Sequence, residues 1–135
     1  MAILFIVMGS AGCGSKAEVV KDQAITSITL VCADLCKELS DPPFNQKVIT
    51  EVEELKTFKH AIDKAKIMQG DLDYGVVFLM SISYSDHTQQ EFVLNVDNED
   101  GRTALLVDRA DSGQGYEIPP EPTSALRKMI YARSQ

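Results

Sequence analysis

The chain has 135 residues, with 13 Lys+Arg against 20 Asp+Glu and a formal net charge of −7. With 44% hydrophobic and 24% charged residues it has the make-up of one ordinary globular domain, which excludes disorder and low complexity. The acidic balance excludes nucleic acid or anionic lipid as a main partner, because phosphate recognition needs a basic face.

The first twelve residues carry no charge, and Ala2 to Met8 form an apolar run of seven. A mature transmembrane helix needs about 20 apolar residues, so this run is too short to span a bilayer. It fits the apolar region of a secretion signal followed by a small-residue cleavage site. Ser10-Ala11-Gly12-Cys13 then reads as a bacterial lipobox, with the Cys13 thiol as acceptor of a diacylglycerol. The sequence departs from the usual signal in having no Lys or Arg before the apolar run and Ser10 where Leu is usual. Residues 1–12 are thus expected to be a signal peptide and 13–23 a lipid-anchored tether, reaching about 18 Å if flexible. Residues 24–135 form the domain. The alternative is a cytosolic nucleotide-binding protein with a degenerate P-loop at 9–16. Gly9 and Gly14 have the right spacing for that motif, but Ser15 stands where Lys belongs, Lys16 is one residue late, and Ala17 replaces the hydroxyl residue.

Residues 24–34 are rich in β-branched side chains and predict a central strand, with Ile28, Leu30 and Cys32 on one parity. Asp41-Pro42-Pro43 marks a loop, and Gln46 to Thr50 predicts a short strand. Thr50 and Glu53 have the spacing of a capping box. Behind them Val52, Leu55, Phe58, Ala61, Ile62 and Ala65 give a helix one apolar face, with Gly70 as its stop. Three strand patterns follow, carrying Val76, Phe78, Met80, Ile82 and Tyr84, then Phe92, Leu94 and Val96, then Leu105 and Val107 facing inward. Tyr116 to Ile118 suggests one more short strand. A closing helix over 120–132 presents Leu126, Met129 and Ile130, with prolines at its start. The expected fold is α+β: a mainly antiparallel sheet of about five strands with two amphipathic helices on one face, in the order β-β-α-β-β-β-α.

Little in the sequence carries chemistry. If Cys13 is acylated, Cys32 and Cys36 remain. In a continuous strand four residues span about 13 Å, whereas a disulfide needs Cα atoms within about 7 Å. Two free thiols are therefore favoured over a bridge, which would require the strand to end or bulge near Asp34. His60 on the helix and His87 in a turn lack ligand spacing, so no metal or cofactor is expected. Asp97-Asn98-Glu99-Asp100-Gly101 lacks the pattern of a calcium loop and reads as an acidic hairpin turn. Ser81, Ser83, Ser85 and Asp86 lie near His87 without a nucleophile-elbow pattern, and no catalytic residue is assigned.

In pattern, the chain resembles small bacterial lipoproteins of the YhfM-like kind, known mainly from Bacillus-type Gram-positive bacteria. The likeness runs through the lipobox and Gly14-Ser15-Lys16 tether, Ile49-Thr50 leading into the helix, Gly115-Tyr116-Glu117-Ile118 and the closing helix. It implies a membrane-anchored domain on the outer face of the cytoplasmic membrane, held through Cys13. The leader, the tether and the missing catalytic constellation, rather than the resemblance, lead to the expectation of a binding or accessory role, with an unidentified protein or peptide as a further partner. Because the leader is uncharged, the whole −7 belongs to the mature protein, and repulsion from anionic lipid is expected to hold the domain off the surface.

Overall fold

The structure is a computed structural model that describes residues 19–70 and 72–132. The leader, Cys13 and the 9–16 glycine loop lie outside these residues. The chain forms β1 (Ile25–Cys32), α1 (Asp34–Lys37), β2 (Gln46–Ile49), α2 (Val52–Asp63) and β3 (Lys66–Ile67). It continues through β4 (Phe78–Tyr84), β5 (Gln89–Asn95), β6 (Ala104–Asp108), a 3₁₀ turn (Arg109–Asp111), β7 (Gly115–Ile118) and α3 (Pro120–Tyr131). One seven-stranded sheet results, in the order β2-β1-β4-β5-β6-β7-β3, and each of its ladders is antiparallel. The class is α+β, with more strands than the five expected. The edge strand β3 has only two residues, paired with Tyr116 and Glu117 of β7, so it carries no alternation for a sequence pattern to reveal.

The alternating strands put one parity on the core face. Ile28 and Leu30 of β1, Phe78, Met80 and Ile82 of β4, and Phe92 and Leu94 of β5 are fully or almost fully buried there. Helices α2 and α3 pack on each other and close this face with Phe58, Ala61, Ile62, Leu126 and Ile130. Val52 departs from the expected helical stripe and stands 61% exposed.

The expected capping box is also absent. Ile49 is held in the sheet opposite Ile28, so the chain needs Thr50 and Glu51 to turn off the sheet edge. The helix starts at Val52 with Glu51 as its N-cap and no side-chain capping bond. It ends at Asp63 rather than at Gly70, which has φ +88° and turns the chain after β3.

In β6 the expected parity is reversed. Leu106 faces the core opposite Leu94, while Leu105 and Val107 face the other side. Both parities are apolar because this second face is partly covered as well. From the β3 edge, residues 72–77 must cross β7, β6 and β5 to reach β4. Leu72 lies over Gly115, where an added Cβ would come within 3.0 Å of its methyl carbons. Asn95 fastens the far end, donating to the Gly75 carbonyl at 2.7 Å and accepting from the Val77 amide at 2.8 Å.

Candidate functional site

Three places gather the residues of interest. The first is the corner where β1 meets α1. The strand stops at Cys32, and the helical turn from Asp34 brings Cys36 back over it. The two Cα atoms are 5.3 Å apart and the sulfurs are bonded. The expectation of two free thiols is therefore corrected: it assumed a strand running on past Asp34. The Ala33 and Leu35 amides instead donate to the Val77 and Val76 carbonyls, which bends the chain out of the sheet. Both cysteines are buried.

The second place is the end of the sheet where the described chain begins. Val19 and Val20 are buried in the core, so residues 19–23 are a strap seated on the domain rather than free tether. Gln90 Nε2 donates to the Val19 carbonyl at 3.3 Å, and the Lys21 amide meets Gln90 Oε1 at 3.3 Å and the Tyr84 hydroxyl at 3.4 Å. The Tyr84 hydroxyl in turn donates to Gln90 Oε1. Lys21 Nζ reaches Asp86 at 3.0 Å and Thr88 at 2.6 Å, and lies 5.5 Å from the Tyr84 ring centre. Hydrogen bonds from Thr88 and Lys21 hold the Asp86 carboxyl down at about 2. Burial pushes the Tyr84 hydroxyl up from its usual value.

Beside the strap, Ile25 pairs with Tyr84 and lines a shallow cleft of about 170 Å³ with Val52, Leu55, Lys56 and Lys59. Neither strap nor cleft is legible in the sequence. The weak apolar pattern of 14–23 gave no sign of Val19 docking, and Val52 fell on the expected core stripe.

The third place is the opposite end, at the β5–β6 loop. Arg102 pairs with Asp97 at 3.1 Å and with Glu99 at 2.6 Å. Arg127 of α3, whose side chain is only 4% exposed, donates from Nε to the Asp97 carbonyl at 2.8 Å and from Nη2 to the Arg102 carbonyl at 3.3 Å. Two arginines of the same chain thus pair with Asp97 and Glu99 of the acidic turn. A cleft of about 270 Å³ opens beside it, lined by Asn95, Arg102, Thr103 and Glu117 among others.

The hydrolase-like cluster is not assembled. Ser81 donates to Glu91 at 3.3 Å, Ser83 accepts from Gln89 at 3.2 Å, and Ser85 donates to Gln23 at 3.3 Å. His87 serves the β4–β5 turn, with φ +70° and its amide donating to the Tyr84 carbonyl. His60 is exposed on α2. Among the described residues, no group of three or more His, Cys, Asp or Glu side chains is placed to hold a metal ion. No helix among them is long and apolar enough to cross a membrane. Among the described residues every strand pairing is antiparallel, and none forms the parallel strand–helix–strand unit that accompanies a P-loop.

With this geometry in hand, comparison with known proteins found no matching family model, curated protein or solved structure.

Proposed function

We propose that this chain is an extracytoplasmic lipoprotein, acylated at Cys13 and held on the outer face of the cytoplasmic membrane, where its α+β domain has a binding or accessory role. The observation that carries the reading is the uncharged apolar run Ala2 to Met8 followed directly by Ser10-Ala11-Gly12-Cys13. The Cys32–Cys36 bridge supports it independently, because structural disulfides persist on the oxidising side of a membrane and are rare in the reducing cytosol. The resemblance to YhfM-like lipoproteins points the same way.

Mass spectrometry of the protein purified from membranes tests the reading. An N-terminal Cys13 carrying a diacylglyceryl group is the expected species. A mature chain that keeps an unmodified Met1 and partitions wholly into the aqueous phase of a detergent extract refutes it.

A further inference from the structure

We infer that the strap end of the sheet is a membrane-contact surface, and that its occupant is the phospholipid bilayer holding the protein's own anchor. The inference rests on acylation of Cys13, as proposed above, and deepens that reading by naming which face meets the lipid.

Val19 and Val20 are buried, and Lys21 is fixed by Asp86, Thr88, Gln90 and the Tyr84 hydroxyl. The exit point therefore cannot drift across the surface. Six residue steps separate Cys13 from Val19. Fully extended they reach at most about 20 Å, and as a flexible chain about 13 Å. The headgroup region of one leaflet is itself about 6 Å deep. The end of the domain carrying Val19 is thus confined to the neighbourhood of the headgroups.

At this end the surface is suited to lipid. Ile25 is joined to the strap through its pairing with Tyr84, and it lines the apolar cleft with Val52 and Leu55. Val52 is 61% exposed, with Lys56 and Lys59 on either side offering aliphatic stems and polar tips to an interface. Anionic lipid is not what draws this surface in. Lys56 pairs with Glu53 at 3.7 Å and Lys59 with Asp63 at 2.9 Å, and Asp22, Glu51 and Glu54 lie on the neighbouring segments. The contact is apolar and enforced by the short connection: a surface too weak to bind vesicles on its own becomes occupied once held at high local concentration. The expectation of a domain held off the surface gives way to one standing on its strap end.

The test uses the full acylated chain with Val52→Cys or Asn98→Cys as its single reactive thiol, Cys13 being acylated and Cys32 and Cys36 being bonded. Each variant is labelled with an environment-sensitive fluorophore and reconstituted in phosphatidylcholine vesicles, with and without phosphatidylglycerol, in the presence of headgroup-labelled quencher lipid. The label at Val52 is expected to shift to the blue and to be quenched several-fold more than the label at Asn98, which sits in the loop at the far end of β5. Phosphatidylglycerol should strengthen neither. Equal quenching at the two sites, or a solution-like signal at Val52 on a protein shown by mass to be acylated, overturns the orientation while leaving the anchor intact. A protein whose Cys13 carries no lipid overturns both.

Discussion

Replacing Cys32 and Cys36 together with alanine is expected to destabilise the domain by about 2–3 kcal/mol. The bridge has a sequence separation of 4 and so closes a five-residue loop. Chain entropy for such a loop amounts to about 7 cal/mol/K, or about 2 kcal/mol at 25 °C. Both side chains are buried, so losing two sulfur atoms adds a void term of about 1 kcal/mol at most. Alanine is preferred to serine because it buries no hydroxyl. With a urea slope of about 1.5 kcal/mol/M, the unfolding midpoint should fall by about 1.3–2 M. The assay compares oxidised wild type, wild type in reductant, and the double variant. The last two should lie close together and well below the first. Identical midpoints for oxidised and reduced wild type would refute the reasoning, as would alkylation of both thiols in unreduced protein.

Arg127→Ala should cost about 3 kcal/mol, because two charge-assisted bonds to the Asp97 and Arg102 carbonyls vanish in a buried setting; thermal unfolding about 10 °C lower is the expected readout, and Arg127→Lys should recover only part, since one ammonium replaces a planar fork. Gly101 has φ +83° with nothing within 4 Å of a built Cβ, so Gly101→Ala should cost about 1 kcal/mol through the backbone alone, measured by urea unfolding. For Asp86, with its carboxyl lowered from 3.8 to about 2, the stabilising contribution is fully present above pH 4 and is lost as pH falls through about 2. Melting temperatures of wild type and Asp86→Asn should therefore differ at pH 6, draw together near pH 2 and converge below it. A gap at pH 2 as wide as that at pH 6 would contradict this assignment. Tyr84→Phe removes the hydroxyl shared by Lys21 and Gln90, so limited proteolysis should cut 19–23 faster while leaving the sheet intact.

Where one periodicity governed a long segment, the sequence was easy to read. Phe78, Met80, Ile82 and Tyr84 form the core face of β4 as their alternation predicts, and Leu55, Phe58, Ala61 and Ile62 do the same on α2. Reading failed where position was decided by another segment. Leu105 and Val107 look inward on hydropathy alone, and only the crossing of residues 72–77 explains why both faces of β6 are apolar. The Cys32–Cys36 bridge depended on where β1 ends, which is set by the amides of Ala33 and Leu35 turning to Val77 and Val76. Arg127 lies outside the apolar stripe of Leu126, Met129 and Ile130, yet it joins the last helix to the β5–β6 loop. Val19, Val20 and Lys21 gave no periodic signal, because their partners Tyr84, Asp86 and Gln90 lie more than sixty positions away.

The order of strands in the sheet also sets an order in time. Strands β4, β5, β6 and β7 follow one another as neighbours, so they can zip together through short turns. Strand β1 cannot join until β4 exists, because Ile25 pairs with Tyr84 and Cys32 with Phe78. Until then β1 has only the short β2 beside it, and a two-stranded ribbon is at best marginally stable. Folding should accordingly nucleate in the later meander and proceed in milliseconds to seconds, as expected for pairings distant in sequence. Because the strap needs Tyr84, Asp86 and Gln90 all in place, it can lock only once the β4–β5 hairpin has formed. The first part of the domain to be synthesised is thus among the last to be fixed, and seating of Lys21 marks a completed sheet end.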